Sequence, residues 1–417
     1  MPLNIVSVSK IVPFASAPHA GGQFYYQHIR TLLSLGYKVT IISPYDKRNV
    51  DARARLDLPV NVLLFGKDPT PAGSLGVILA RIDLRVRVYK GRLSRRHRKA
   101  FRREPAVLSA VLAADLVEFQ WTEAGELAAG PLSEVRRSWP EQTPRVLIAH
   151  DVLAQRENRR LDAARKFSAR WTLAKVRRRQ TVRDECRTVK VMDLVLALSP
   201  KDKGMLQTIS TGTSVVSVTP PLTLERIETP SVHERSAGVL FVGAFHRPEN
   251  IDAALWLLRE IWPLVRARNP AAELVIAGAS PTAQMRILAN DLGRVTVTGY
   301  VPSLYPYYAS CLVNVVPLRQ GAGVKFKTID ALLMSQAVVS TSVGLEGIHA
   351  PEGTVWARAE NADEIAGAIL EALKDPRHSA SVGKKAAEWA AAEYSHENYS
   401  STLLREYARL ITARVRE

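Results

Sequence analysis

Short apolar runs rich in β-branched residues alternate with segments of helical spacing along the chain. The first is NIVSVS (4–9), which is followed by a glycine-containing loop, the helical segment FYYQHIRTLLSLGY and a second run, KVTIISP (38–44). Runs this short and apolar are typical of parallel strands that helices cover on both faces. The pattern therefore predicts an α/β protein built on parallel sheets.

The strand-like runs fall into two groups. Later members are DLVEFQ (115–120), RVLIAH (145–150), DLVLALS (193–199), GVLFVGA (238–244), AELVIAG (272–278), VTVTGYV (295–301), CLVNVVP (311–317) and AVVSTS (337–342). A proline-rich polar stretch around residues 218–233 separates the groups and is typical of a linker. We expect two doubly wound, Rossmann-like domains, 1–220 and 221–395, facing each other across a cleft, with a final helix in 396–417 packing back on the first.

Size and composition fit this organisation. With 417 residues, 47% of them hydrophobic, the chain is long enough for two or three domains with full cores. No stretch has the features of a signal peptide or a membrane span, so we expect a cytoplasmic protein. Cys186 and Cys311 stand far apart with no histidine at metal-ligand spacing, which argues against a disulfide framework or a thiolate metal site.

The net charge of +17 is concentrated in the first half, mainly in residues 86–103 and 156–187. Basic segments of this kind attract polyanions or an anionic membrane surface, and a peripheral position on the inner face of the cytoplasmic membrane is one interpretation. A solvated helix face is the other. No nucleic-acid-binding motif accompanies the charge, so nucleic acid is not an expected partner.

Ligands of open α/β sheets bind beyond the carboxyl ends of the strands. The loop after the first strand carries Gly21 and Gly22 before a helix, where backbone N–H groups can approach an anion, although such glycines also make plain tight turns. After the run 145–150, His150 can face a reacting group. In the alternative interpretation Asp151 caps the next helix and His150 only packs.

Two loops of the second group carry more charge. In VGAFHRPENID (242–252), Gly243 ends a strand, Arg247 can neutralise a phosphate, and Asn250 can cap a predicted helix that begins at Ile251, IDAALWLLREIWPLVRA (251–267). An ordinary helix start explains all but the arginine.

The second of these loops is GAGVKFKTIDALL (321–333). Gly321 and Gly323 precede Lys325 and Lys327 at a helix start, a combination that favours a diphosphate, and Asp330 follows within reach of ribose hydroxyls. A phosphate-binding loop and a plain turn both remain open from these residues alone.

The stretch GAGVKFKTIDALLMSQAVVSTSVGLEGI (321–348) resembles the donor-binding segment of GT-B glycosyltransferases of family GT4, written G-x-G-x-K-x-K-x-x-E-A-(x)n-P-V-V-(S/T)-T-x-x-G-x-E-G. Other segments fall in matching order, although those of the first half match more loosely. They are the early GG loop with LLSLGYKVTII, the HD segment, VGAFHRPENIDAALWLL and the closing YSHENYSSTLL.

The resemblance implies a nucleotide diphosphate sugar as co-substrate in the second domain and an acceptor in the first. It implies transfer with retention of anomeric configuration and without a metal or other cofactor. By motif position, Lys325 contacts the donor diphosphate with help from Arg247 or a nearby backbone amide, and Asp330 holds the ribose. His150 lies near the transferred sugar, and the Gly21 loop approaches phosphate or acceptor. A glycan or lipid-linked glycan in cell-surface polysaccharide synthesis is the expected acceptor.

The chain departs from the family pattern at three positions. Ala322 stands where members often carry the first acid of Glu-x7-Glu, Asp330 replaces the second glutamate, and Ala337 replaces a proline. Two other functions are therefore kept beside the transferase: a non-catalytic basic protein that binds an anionic membrane or polymer, and a nonhydrolysing sugar-nucleotide epimerase of the same architecture.

Overall fold

The computed structural model describes residues 2–17, 20–66, 93–129, 143–162, 166–222 and 236–415. By its internal contacts the chain divides into two compact units, Met1–Pro221 with His396–Glu417, and Leu222–Ser395. The predicted linker lies mostly outside the described residues, as do residues 86–92 of the first basic segment and 163–165 of the second.

The described part of the first unit forms a seven-stranded parallel sheet in the order β3-β2-β1-β4-β5-β6-β7. Its strands are β1 (Asn4–Val8), β2 (Lys38–Pro44), β3 (Asn61–Phe65), β4 (Leu116–Gln120), β5 (Arg145–Ala149), β6 (Leu194–Ala197) and β7 (Ser214–Ser217). Its helices are α1 (Ala20–Ser34), α2 (Lys47–Arg55), α3 (Arg95–Phe101), α4 (Pro105–Leu112), α5 (Thr122–Gly125), α6 (Leu153–Asp162), α7 (Ala169–Lys190) and α8 (Pro200–Ile209).

The described part of the second unit forms a six-stranded parallel sheet in the order β10-β9-β8-β11-β12-β13. Its strands are β8 (Ser236–Val242), β9 (Glu273–Ala277), β10 (Val295–Gly299), β11 (Cys311–Val316), β12 (Ala337–Ser340) and β13 (Ala357–Arg358). Its helices are α9 (Pro248–Trp256), α10 (Trp262–Arg268), α11 (Ala283–Leu292), α12 (Tyr305–Ser310), α13 (Phe326–Leu333), α14 (Ala362–Lys374) and α15 (Pro376–Glu393).

Both sheets reverse their strand order beside the first strand of the unit, which is the doubly wound arrangement predicted for an α/β protein of this class. The central strands β4 and β11 are buried at every residue, including the polar Glu118, Gln120 and Asn314. The carboxyl ends of all parallel strands of a sheet lie along one edge, and that edge carries the loops that hold the predicted site residues.

The helix predicted from Ile251 is not one continuous α-helix. It consists of α9, a π-helical turn at Leu257–Ile261 and α10. Pro263 lies just after the π turn and has no backbone N–H to donate, so the helix widens ahead of it. In the turn, the backbone N–H of Trp262 donates to the carbonyl of Leu257.

The last helix, α16 (His396–Val415), belongs to the first unit, as predicted for a C-terminal helix that packs back on this domain. It inserts two buried tyrosines. The Tyr399 hydroxyl lies 2.6 Å from His28 Nδ1, and the Tyr407 hydroxyl donates to Glu118 Oε2 over 2.8 Å. These contacts attach α16 to α1 and to β4.

No helix in the described part of the chain is long and apolar enough to cross a membrane.

Candidate functional site

The glycine loop after β11 folds back on itself. Gly321 and Gly323 have φ angles of 125° and 72°, in the region that glycine adopts readily. Lys325 occupies the cap position of α13, and its Nζ donates to the carbonyl of Gly323. The same Nζ lies 3.2 Å from Glu346 Oε2. The ammonium is thus held directly over the loop and the start of the helix.

Glu346 is a residue of this loop region that sequence reasoning missed. It is buried, and it follows Gly344 in the G-x-E-G part of the motif, which was the signal available in the sequence. The loop it occupies is joined to α13, because Thr328 Oγ1 donates to the carbonyl of Gly344 over 2.7 Å. Its carboxylate fixes the position of the Lys325 ammonium.

Lys327 connects α13 to α9 at this edge. Its Nζ donates to Asn250 Oδ1 over 2.7 Å and lies 5.1 Å from the centre of the Phe241 ring. Asn250 Nδ2 in turn donates to the carbonyl of Ala244 over 2.9 Å. Burial, together with the positive charges of Arg247 and Lys325, lowers the pKa of Lys327 to about 7. A nearby anion would therefore favour the protonated form of this lysine.

The prediction that Asn250 caps a helix beginning at Ile251 is wrong. The helix α9 begins at Pro248, whose fixed φ suits a first helical position, so Asn250 lies inside the first turn. Arg247 takes the cap position without a capping side-chain bond, and its exposed Nε lies 2.8 Å from Glu249 Oε1.

The glycine loop also reaches α9 at this point. A Cβ placed on Gly321 would lie 3.5 Å from Lys325 Cε and 4.0 Å from Glu249 Cγ. Glu249 thereby contacts Arg247 and lies close to Gly321, whose loop also carries Gly323 and Lys325.

Gly243 lies where the backbone approaches two neighbours. A Cβ on it would be 3.1 Å from the Phe245 ring and 3.3 Å from Asn250. Across the sheet, Gly278 has a φ of 140°, and a Cβ there would lie only 1.9 Å from the Gly243 carbonyl oxygen. Close packing of β8 against β9 therefore requires the glycine at 278, and the one at 243 keeps the loop against α9.

Asp330 is the remaining predicted donor residue. It lies on α13, partly buried, and burial raises its pKa to about 7. Burial raises the pKa of Tyr308, which is fully buried, and the charge of Asp330 raises it further.

Within the part of the chain described, no group of three or more histidines, cysteines and acids is arranged to hold a metal ion.

A second group of predicted residues lies at the corresponding edge of the first unit. The His150 ring stacks on Trp121, with centroids 3.9 Å apart and planes inclined by 19°. A Cβ placed on Gly21 would lie 3.5 Å from His150 Nδ1 and 3.0 Å from Trp121. The structure thus brings Gly21 and His150 together with a tryptophan that sequence reasoning missed. Gly22, the other predicted glycine of this loop, is buried within α1.

Trp121 follows β4 with a φ of 67°, an uncommon conformation for a residue with a side chain. Lys10 Nζ lies 5.2 Å from its ring centre and 3.0 Å from Glu123 Oε1. Burial favours the neutral form of Glu123, but Lys10 and Arg156 outweigh it and lower the pKa of this carboxyl. The edge therefore carries a stacked imidazole beside a buried ion pair.

The helix that follows Asp151 is capped in the structure by Glu185. The first backbone N–H groups of α6, those of Leu153 and Ala154, each donate over 2.8 Å to a carboxylate oxygen of Glu185. Asp151 instead lies 3.5 Å from Arg156. Burial raises the pKa of Glu185 to about 7 even though it accepts both bonds.

The architecture is that of the GT-B glycosyltransferases: two doubly wound units, each with one parallel sheet. Residues 236–375 match the family model described as glycosyl transferases group 1. The predicted GT-B fold is therefore confirmed, and the match over residues 236–375 supports the predicted glycosyltransferase class. Assignment to family GT4 is compatible with the match and stays a prediction.

Three solved structures illustrate the likeness in fold. Sucrose-phosphate synthase from Thermosynechococcus elongatus superposes with a TM-score of 0.69 at 18% identity, covering 98% of this chain and 100% of that one. HepE from Anabaena, in complex with UDP, gives 0.63 at 12% identity, covering 98% and 100%. The catalytic domain of starch synthase IV from Arabidopsis thaliana, bound to ADP and acarbose, gives 0.62 at 12% identity, covering 99% and 100%.

A curated relative is similar over part of the chain. An uncharacterized 44.6 kDa protein in the cps region of Klebsiella pneumoniae is 29% identical over 174 residues. The match covers 40% of this chain and 43% of that protein.

Proposed function

We propose that this protein is a retaining glycosyltransferase that moves a sugar from a nucleotide diphosphate sugar to an acceptor. The observation that carries the proposal is the Lys325 loop: two glycines with positive φ, a helix start and a buried ammonium lie together inside the segment that matches the glycosyl transferases group 1 model. This combination suits a diphosphate, because backbone N–H groups, the helix dipole and the ammonium all favour negative charge.

Each predicted donor residue has a role in this proposal. Lys325 contacts the diphosphate, and Arg247 gives further positive charge from the first loop of the unit. Gly243, Gly321 and Gly323 let the backbone approach the phosphates. Asp330 holds the ribose hydroxyls. Because aspartate is one methylene shorter than the glutamate of related proteins, its contacts with the ribose have a different geometry. Similar structures in complex with UDP and with ADP support a nucleotide-sugar donor.

The proposed reaction needs no protein nucleophile. The bond from the anomeric carbon to the donor phosphate oxygen breaks, and the acceptor oxygen bonds to that carbon on the same face. The acceptor's proton passes to the departing diphosphate, whose developing charge Lys325 and the loop amides stabilise. Ala322, at the position of the family's first acid, offers no carboxylate, and the mechanism uses none. No metal or other cofactor takes part.

The acceptor is proposed to be a glycan or lipid-linked glycan that binds the first unit beside His150 and the loop of Gly21 and Gly22. The relative from a cps region favours a pathway of cell-surface polysaccharide synthesis. Transfer assays with lipid-linked and soluble glycans test this assignment, and turnover of only small soluble metabolites would overturn it.

An anionic membrane surface is the proposed docking partner of the second basic segment. Apolar side chains are exposed at and near α7, namely Phe167, Leu173 and Val176 at 89%, 50% and 48%. Leu173 and Val176 are three residues apart on α7, and exposed Arg177 and Arg183 follow them along the helix. Apolar side chains beside arginines are typical of a helix that lies in a membrane interface. The protein is then cytoplasmic and peripheral to the inner face of the membrane.

The experiment for the transferase is incubation of the full chain with nucleotide sugars and candidate acceptors, followed by detection of released nucleoside diphosphate and product. Transfer with retained configuration supports the proposal. Interconversion of the donor sugar without acceptor would favour an epimerase, and liposome binding without consumption of any donor would favour the non-catalytic binding protein.

For the membrane contact, sedimentation with anionic and neutral vesicles is compared between the wild type and Leu173→Ser/Val176→Ser. Binding to anionic vesicles that the double variant loses supports docking through α7. Equal binding by both proteins would overturn it, and Leu404→Ser on α16, another exposed leucine, serves as the control.

A further inference from the structure

A chain of hydrogen bonds runs from the buried carboxylate of Glu118 to the imidazole of His150. Gln120 Nε2 donates to Glu118 Oε1 over 3.2 Å, and Gln120 Oε1 lies 2.9 Å from His150 Nε2. Both Glu118 and Gln120 are fully buried on β4, two residues apart and therefore on the same face of the sheet. The amide connects a fixed charge in the core to the edge that carries the candidate site.

The carboxylate is an acceptor for every group around it. Ser7 Oγ donates to it over 2.5 Å and Tyr407 over 2.8 Å, and both oxygens lie 2.9 Å from His28 Nε2. Burial favours the neutral form, but His28, Ser7 and Tyr407 together lower the pKa of Glu118 below its usual value. Glu118 is therefore ionised near neutral pH and offers no proton.

An ionised carboxylate can only accept a hydrogen bond, which fixes the orientation of the neighbouring amide. The NH₂ group of Gln120 must point towards Glu118, so its carbonyl oxygen points towards His150. A carbonyl oxygen also only accepts. The bond to His150 therefore requires a proton on Nε2, and in the neutral imidazole Nδ1 is then the acceptor nitrogen.

We infer that Gln120 is a positioning residue that holds His150 with its proton on Nε2 and directs Nδ1 towards the start of α1, where Gly21 lies. Stacking on Trp121 fixes the plane of the ring, and the amide fixes its rotation and tautomer. The inference rests on the proposed function for one consequence: Gln120 holds the Nε2 proton of His150, so this proton is not donated to a substrate.

The test compares Gln120→Leu with Gln120→Glu, using ¹⁵N-histidine spectra of the full chain and His150→Gln to assign the signal. In Gln120→Glu, an acceptor oxygen faces His150 whether the new carboxyl is ionised or protonated towards Glu118, so the proton should stay on Nε2. In Gln120→Leu the acceptor is gone, and we expect a mixture of tautomers. Tyr407→Phe, which removes a different bond to Glu118, should leave the His150 signal unchanged.

Kinetics give a second measurement. If the transferase assay succeeds, Gln120→Leu should lower kcat about tenfold, as loss of one oriented hydrogen bond does, and Gln120→Glu should recover most of it. An unchanged His150 tautomer in Gln120→Leu would overturn the inference. A shifted tautomer in a protein that consumes no nucleotide sugar would sustain the positioning role and count against the proposed function instead.

Discussion

Lys327 Nζ donates to Asn250 Oδ1 over 2.7 Å, and this bond joins α13 to α9 at the edge that carries the candidate donor site. Asn250 Nδ2 in turn donates a hydrogen bond to the carbonyl of Ala244. A lysine in this position is held by neutral partners, with Arg247 and Lys325 close enough to oppose its charge. A bound diphosphate would offset the positive charges of Arg247 and Lys325. Ligand binding should therefore favour the protonated form of Lys327.

Binding of a nucleoside diphosphate should therefore take up a proton. The pKa of Lys327 is about 7 in the free protein, so at about pH 8 the amine is mostly neutral, and an anion nearby raises its pKa. Affinity should fall as the pH rises above this value. Calorimetry in buffers of different ionisation enthalpy measures the uptake directly. Lys327→Met should abolish it, and equal proton uptake by this variant would assign the effect to another group.

Stability should depend on pH through the same lysine. Its pKa is lowered on folding from 10.5 to about 7, so between these values the unfolded state binds the additional proton, and stability rises with pH. Below about pH 7 both states are protonated and the cost of burying the charge is complete. Relative to the wild type, Lys327→Met should therefore be more stable at about pH 6 than at about pH 9. Denaturant titrations at the two pH values measure this difference, and a difference independent of pH would contradict the shift.

Lys325→Ala should reduce turnover strongly and also destabilise the protein. Removal of the ammonium leaves the buried carboxylate of Glu346 without its ion-pair partner, at a cost of about 1–3 kcal/mol. Lys325→Met/Glu346→Gln removes both charges and should recover most of the stability while turnover stays low. Normal turnover in the double variant would remove Lys325 from the donor site.

Tyr407→Phe should loosen α16 from the first unit. The hydroxyl donates to an ionised, fully buried carboxylate, and such a bond contributes about 1.5–3 kcal/mol. Chemical denaturation measures the loss. Leu404→Ala, at an exposed position of the same helix, should change the free energy of unfolding by no more than about 0.5 kcal/mol. Equal effects of the two substitutions would contradict the anchoring role.

Gly278→Ala should severely impair folding of the second unit. Its Cβ would lie 1.9 Å from the Gly243 carbonyl oxygen, which neither backbone can avoid without separating β8 from β9. Gly293 also has a positive φ, 64°, but has open space around it, so Gly293→Ala should cost only about 1 kcal/mol. Thermal unfolding of both variants separates steric exclusion from backbone strain. A mild effect at 278 would mean that the strands can move apart.

Several strands of both sheets follow from the sequence because their apolar runs are dense and short. KVTIISP (38–44) coincides with β2, and CLVNVVP (311–317) contains β11. The edge strands β3, β7 and β13 were missed, because strands at or near an edge are short and half exposed, without a continuous apolar pattern. Pattern reasoning also extended one helix through Pro263, where the structure has a π turn.

The candidate site, like the strands, could be predicted from the sequence only in part. Glycines and charged residues in the loops after strands could be found from spacing, since parallel strands place those loops along one edge. Partners from distant parts of the chain could not. Nothing local in the sequence indicates that Glu185 caps α6 or that Trp121 stacks on His150. Those contacts depend on how the strands order themselves in the sheet.

The most direct test of the central claim is the thermal unfolding of the full chain with UDP, GDP, ADP and TDP, in parallel with Lys325→Met/Glu346→Gln. A ligand that binds the native state raises its Tm by mass action. We expect one nucleoside diphosphate to raise the Tm of the wild type and to leave that of the double variant nearly unchanged. If no nucleotide shifts the folded wild type, or the same one shifts both proteins equally, the Lys325 loop is not the diphosphate site.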